Sequence, residues 1–124
     1  MAHQIDTLAD ANIIVVKYSG DVGLKERLSA VVEVCDMLND TSCVRLLIDI
    51  RQINNTMSNE QQQYFGRYLA NKPELKNAKV AVLSEQLERN ANLVINNTAY
   101  LEGYHVAPFN SRGEAISWLA GMTH

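Results

Sequence analysis

Val44-Arg45-Leu46-Leu47-Ile48-Asp49-Ile50 is a nearly continuous apolar run of strand length. A strand wetted on one side alternates apolar and polar residues, so an unbroken run predicts a central strand covered on at least one face. Toward the N-terminus the period becomes helical. Leu24, Leu28, Val31, Cys35 and Leu38 make one apolar stripe, with Lys25, Glu26, Arg27 and Glu33 largely off it, and the helix is expected to end near Asn39-Asp40. Before it, Ile13-Ile14-Val15-Val16-Lys17-Tyr18 is a β-branched run ending at Ser19-Gly20. With the weakly alternating residues 3–8 and the turn-like Ala9-Asp10-Ala11-Asn12, it reads as an antiparallel hairpin.

Toward the C-terminus, Ser58-Asn59-Glu60-Gln61 has the Ser-x-x-Gln form of a capping box and opens a helix through Tyr64, Phe65, Tyr68 and Leu69, which Pro73 ends. Lys79-Val80-Ala81-Val82-Leu83-Ser84 is a short buried strand, and Leu87, Ala91, Val94, Ile95, Thr98 and Leu101 line a helix that Gly103 stops. His105-Val106-Ala107-Pro108-Phe109 is a last strand. Pro108 lacks a ladder donor, which places that strand at an edge. Ser111-Arg112-Gly113-Glu114 is a second capping box, starting a helix whose Ala115, Ile116, Leu119 and Met122 face inward with Trp118 beside them. The fold class is therefore α/β: one mixed, largely parallel sheet of about five strands with four helices, in the order β-β-α-β-α-β-α-β-α, forming one domain over residues 1–124.

A mass of 13.9 kDa suits one two-layer core, and 47% hydrophobic with 20% charged residues is the balance of a globular chain. A net charge of −3 with scattered basic residues argues against nucleic-acid and anionic-membrane surfaces. No stretch is long and apolar enough for a membrane span, and the N-terminus lacks a signal-peptide pattern, so the expected location is cytoplasmic. Cys35 and Cys43 then read as buried small hydrophobes. The acceptor-like triplets at Asn39, Asn54 and Asn96 carry no glycosylation chemistry there.

The element order, the central strand from Val44 to Arg51 and the closing Phe109-Asn110-Ser111-Arg112-Gly113-Glu114-Ala115-Ile116-Ser117-Trp118-Leu119 resemble the STAS superfamily, the sulfate transporter and anti-sigma-factor antagonist domains. The chain looks most like the small stand-alone bacterial proteins described as stage II sporulation protein AA-like. The resemblance implies a STAS-like fold and a regulatory role. Antagonists of that family carry an Asp-Ser-Ser-Gly type motif at the start of the helix after the central strand, where a serine is phosphorylated. Here the place is filled by Met57-Ser58-Asn59-Glu60: Ser58 matches the serine, but Met57 replaces the acid and Glu60 the glycine. Other proteins of this fold bind nucleotides or apolar lipid-like ligands, or serve as dimeric scaffolds.

The sequence contains no phosphate-cradling glycine loop, no His-Glu-x-x-His and no Cys-x-x-Cys. His3 and His124 lie at the termini and His105 begins an edge strand, so no cofactor, metal or catalytic triad is expected. Asp49 and Arg51 stand two apart on one face at the end of the central strand, where open α/β sheets bind ligands, and they are equally placed to pair with each other. Tyr64, Phe65 and Tyr68 form an aromatic patch that reads as core packing or, as the weaker option, a ligand cage. Asn90, Asn92, Asn96 and Asn97 crowd the outer faces of the third helix as a solvated face or a partner surface.

These residues point to a non-enzymatic protein-interaction module. The alternative is a small carrier of an apolar, lipid-like ligand, and a weak hydrolase or transferase ranks last. The candidate partner-binding residues are Asp49, Arg51, Gln52, Asn54, Asn55 and Ser58, in a polar loop over 51–58 leading to a helix N-terminus, with Ser58 acting as a cap and not as a phosphorylation switch. The edge strand and the aromatic-bearing helix suggest a homodimer.

Overall fold

The computed structural model of the chain describes residues 3–8, 12–38, 44–85, 95, 98 and 105–121. Five strands form one sheet in the order β1-β2-β3-β4-β5: β1 His3–Leu8, β2 Ile13–Val22, β3 Arg45–Asn55, β4 Lys79–Leu83 and β5 His105–Phe109. The β1–β2 pair is antiparallel and every other pair is parallel. The hairpin, the central place of the Val44-to-Ile50 strand and the edge place of the Pro108 strand all match the sequence reading. Asn12, with φ 54°, takes the left-handed conformation that tight connections require and asparagine tolerates.

Three α-helices are described: α1 Leu24–Met37, α2 Asn59–Ala70 and α3 Arg112–Leu119, with a 3₁₀ turn at Pro73–Leu75. The helix expected over 87–101 lies outside the described residues, apart from Ile95 and Thr98, which are helical. Asn90, Asn92, Asn96 and Asn97 therefore also lie outside them, as do Ala9 to Ala11, Asn39, Asp40, Cys43, Met122 and His124.

The alternation of β3 separates two cores. Leu46 and Ile50 join α1, α2, Val16, Tyr18, Val80, Val82 and Ile95 on one face. Leu47 joins Ile13, Ala81 and Leu83 beneath Ala115 and Leu119 of α3 on the other. Trp118 closes that second face, with its ring 5.4 Å from Phe109, 5.3 Å from His105 and 4.3 Å from Lys79 Nζ. Burial of these side chains supplies the main driving force of folding, about 25 cal/mol per Å² of apolar surface.

The capping box at α2 forms as expected. Ser58 Oγ accepts from Gln61 N at 3.2 Å and Gln61 Oε1 accepts from Ser58 N at 3.0 Å. At α3 only the hydroxyl half is made, Ser111 Oγ accepting from Glu114 N at 3.3 Å. The Glu114 side chain, at an exposed position, has water as a competing partner.

Candidate functional site

The expected polar loop over 51–58 is a strand as far as Asn55, which corrects the sequence reading. Along β2 the register advances two residues from Lys17 to Ser19, while along β3 it advances three, from Asp49 to Gln52. The extra residue is a β-bulge, and it shifts the alternation so that Ile53, three after Ile50, turns back to the same core. A spacing of three apolar positions hides a strand from any period-two reading. β2 follows past the expected stop at Ser19-Gly20, because Gly20 at φ 73° bends the chain at no Cβ cost and lets the buried Val22 re-enter the core. Pairing with β4 stops at Asp49, so residues 50–55 form a ribbon with β2 alone.

Asp49 and Arg51 hold this bulge. Asp49 Oδ1 accepts from Arg51 N at 3.1 Å and from Arg51 Nε at 3.1 Å, and Oδ2 accepts from Arg51 Nη2 at 2.9 Å. The two charges grip each other side-on through both oxygens. Burial alone would raise the Asp49 carboxyl, but the hydrogen bonds from Arg51, helped by the charges of Arg51 and Lys17, hold it below its ordinary value. Of the other expected site residues, Gln52 is exposed, Asn54 Nδ2 donates to Asp21 Oδ1 at 2.9 Å, Asn55 ends β3, and Ser58 is the cap already described. The structure places all six along one strand and the turn after it, with the charged pair satisfied internally.

A second location lies on the opposite side of α1 from solvent. Arg27, expected off the apolar stripe, is 1% exposed, the largest fully buried side chain. The correction has a geometric cause: Arg27, Ala30, Val31 and Val34 follow i, i+3, i+4, i+7 spacing and form the buried face of α1. This quartet was readable in the sequence, though an arginine is discounted when apolar stripes are sought. Ala30, one turn on, leaves room beside the guanidinium. Arg27 lines an apolar cavity of about 50 Å³ between the sheet and α1 and α2, with Val16, Tyr18, Val34, Phe65 and Val82 among its walls.

The guanidinium carbon of Arg27 sits 4.7 Å from the Tyr18 ring centroid and 5.9 Å from that of Phe65, within cation–π range of both. Its Nε and Nη2 have no hydrogen-bond partner among the described residues. Burial lowers the Arg27 guanidinium from its ordinary value, against the attraction of Tyr18, and burial pushes the Tyr18 hydroxyl up to about 12. The aromatic patch divides accordingly: Phe65 is core, Tyr68 is half-buried and stacked on it, and Tyr64 is 51% exposed and stacked on Tyr68.

His3, near the terminus, is drawn into the fold. It is buried, with Nδ1 bonded to Glu26 Oε2 and Nε2 lying 3.2 Å from Glu33 Oε2, so it fastens β1 to the outer flank of α1. Burial by itself would lower its pKa, but the hydrogen bonds and charges of Glu26 and Glu33 raise it. Glu26 and Glu33 are a helical heptad apart, a spacing that the sequence contained but that had no meaning until His3 was placed between them. No group of three His, Cys, Asp or Glu side chains suited to a metal ion occurs among the described residues, and no described helix is long and apolar enough to cross a membrane.

The sequence matches no protein-family model and no curated protein. Its structure is similar to the crystal structure of an uncharacterized protein of the DUF3478 family with a SpoIIAA-like fold from Shewanella loihica PV-4. The likeness has a TM-score of 0.62 and covers 95% of this chain and 92% of that one, at 18% sequence identity. An architecture shared over nearly the whole of both chains, at an identity that carries fold and not function, gives this protein a SpoIIAA-like, STAS-type fold.

Proposed function

We propose that this domain is a non-enzymatic binding module that holds a small, largely apolar ligand in the cavity between the sheet and helices α1 and α2. The observation that carries this reading is the pairing of an apolar enclosure with one buried cation whose Nε and Nη2 have no hydrogen-bond partner, the composition of sites that fix a ligand's orientation with few polar groups. The aromatic contacts of Arg27 offset only part of the several kcal/mol that burying a cation costs, and an apolar residue of similar volume would fill the space more favourably. Native mass spectrometry of the protein as isolated tests the reading. Added mass from a non-covalent small molecule is the expected result, and an empty chain after gentle purification counts against it.

A second reading, a regulatory protein-interaction surface, is favoured by the ribbon over 50–55, which carries Gln52 and Asn54 exposed on backbone paired with β2 and Arg51 exposed at the bulge beside them. Comparison of Ser58→Ala with Arg51→Ala tests it. Ser58→Ala is expected to cost about 1 kcal/mol of stability, the loss of one cap, with partner binding intact. Arg51→Ala is expected to weaken binding to a protein partner. A phosphoserine at Ser58 in protein from its native cell would replace this reading with a phosphorylation switch.

A further inference from the structure

We infer that the ligand of the Arg27 cavity is a carboxylate with a short apolar body, its two oxygens gripped side-on by Arg27 Nε and Nη2. This deepens the cavity-binding reading and rests on it. The protein contains its own template for the contact. Arg51 uses the same two nitrogens, Nε and Nη2, to hold the two oxygens of Asp49 at 3.1 and 2.9 Å, whereas in Arg27 these are the two atoms left without a partner. Nε–H and Nη2–H lie parallel along one edge of the planar guanidinium, which matches a carboxylate better than any single-oxygen acceptor.

The surroundings select the rest of the molecule. Tyr18 and Phe65 lie within cation–π reach of the guanidinium, so the anion has to approach along the free edge. The remaining walls, such as Val16, Val34, Leu69 and Val82, offer only hydrocarbon, which excludes a sugar or a nucleotide and favours an alkyl body. Volume limits that body. About 50 Å³ is a third of the roughly 150 Å³ cavity that accepts benzene, so the site as it stands fits the carboxylate head and little more. A longer tail requires α1 and α2 to part. The reaction is reversible association: no bond is made or broken, and Arg27 keeps its proton.

The test is an NMR titration of the full-length protein with the sodium salts of straight-chain acids from acetate to octanoate, with the matching primary alcohols, and with inorganic phosphate, following the ring resonances of Tyr18 and Phe65. Each acid is expected to bind at least about tenfold more tightly than its alcohol, the worth of a charge-assisted hydrogen bond. In Arg27→Met, which keeps the length and removes the charge, that preference is expected to vanish while the alcohols still bind. Affinity peaking at acetate or propionate identifies a free small acid, and affinity rising through octanoate identifies a fatty acid; both support the carboxylate. Equal binding of acid and alcohol overturns the carboxylate and leaves the cavity reading standing, as does tighter binding of phosphate. If neither series perturbs Tyr18 or Phe65, both proposals fall. The comparison of acid with alcohol in the unmodified protein needs no variant, so it holds even if Arg27→Met fails to fold.

Discussion

Arg51 and Arg27 set the same chemical group in opposite circumstances. Arg51 has a side chain 39% exposed, and its Nε and Nη2 close on Asp49 at the bulge of β3 against β2. Arg27 is 1% exposed, and the same two atoms close on nothing. The solvent-reaching Arg51 needs no help from a ligand, because water and the buried Asp49 share the load. The buried cation is the costly one, since the low dielectric that strengthens any bond it makes also magnifies the penalty for a bond not made. Conspicuous charges at the end of a central strand therefore turn out to be local carpentry, while the unpaired group sits where composition and pattern predict only hydrocarbon.

Four measurements test the contrast between the two arginines and their surroundings. The largest effect is expected at Phe65→Ala, which removes a buried ring beside Arg27 and should cost about 3–5 kcal/mol in chemical denaturation, most of it from the cavity left behind. A cost below about 1 kcal/mol would mean that the cavity collapses and does not persist as a site. Next is Arg27→Met in ligand-free protein, expected to leave stability unchanged or raise it by about 1–4 kcal/mol, as when buried ionic groups give way to packed apolar ones. A large loss would show that Arg27 is paired after all.

Asp49→Ala comes third. It strips the Arg51 N–H of its acceptor at the bulge, for which about 1–2 kcal/mol is expected, with the ion-pair share small because solvent reaches Arg51. Hydrogen exchange confined to residues 50–55 should rise with it, and unchanged exchange there would sever Asp49 from the bulge. The smallest effect is one of pH. The folded-state pKa of His3 is raised by Glu26 and Glu33, so its share of stability is fully present below the unfolded value near about 6.5 and is lost as pH rises through the higher folded value. Denaturation curves across that window should show a decline that disappears in His3→Gln; the same decline in the variant would assign it elsewhere.

The sheet and most of its order are legible in the amino-acid pattern. The apolar run from Val44 to Ile50, the β-branched run from Ile13, Pro108 at an edge and the Ser58–Gln61 capping box are all local patterns, and local patterns act through backbone geometry that neighbours do not need to supply. The mutual pairing of Asp49 and Arg51 was also within reach, because residues two apart on a strand share a face. The remaining features depend on residues far apart in the chain. The bulge at 50–51 exists because β2 continues beside β3 and Ile53 finds a core to enter. His3 becomes an ion-pair partner only when β1 lies against α1. Arg27 becomes a candidate site because Tyr18 from β2 and Phe65 from α2 enclose it while its Nε and Nη2 keep no acceptor: burial is a property of the assembled layers, and helical spacing alone names a face but not the chemistry that will meet it.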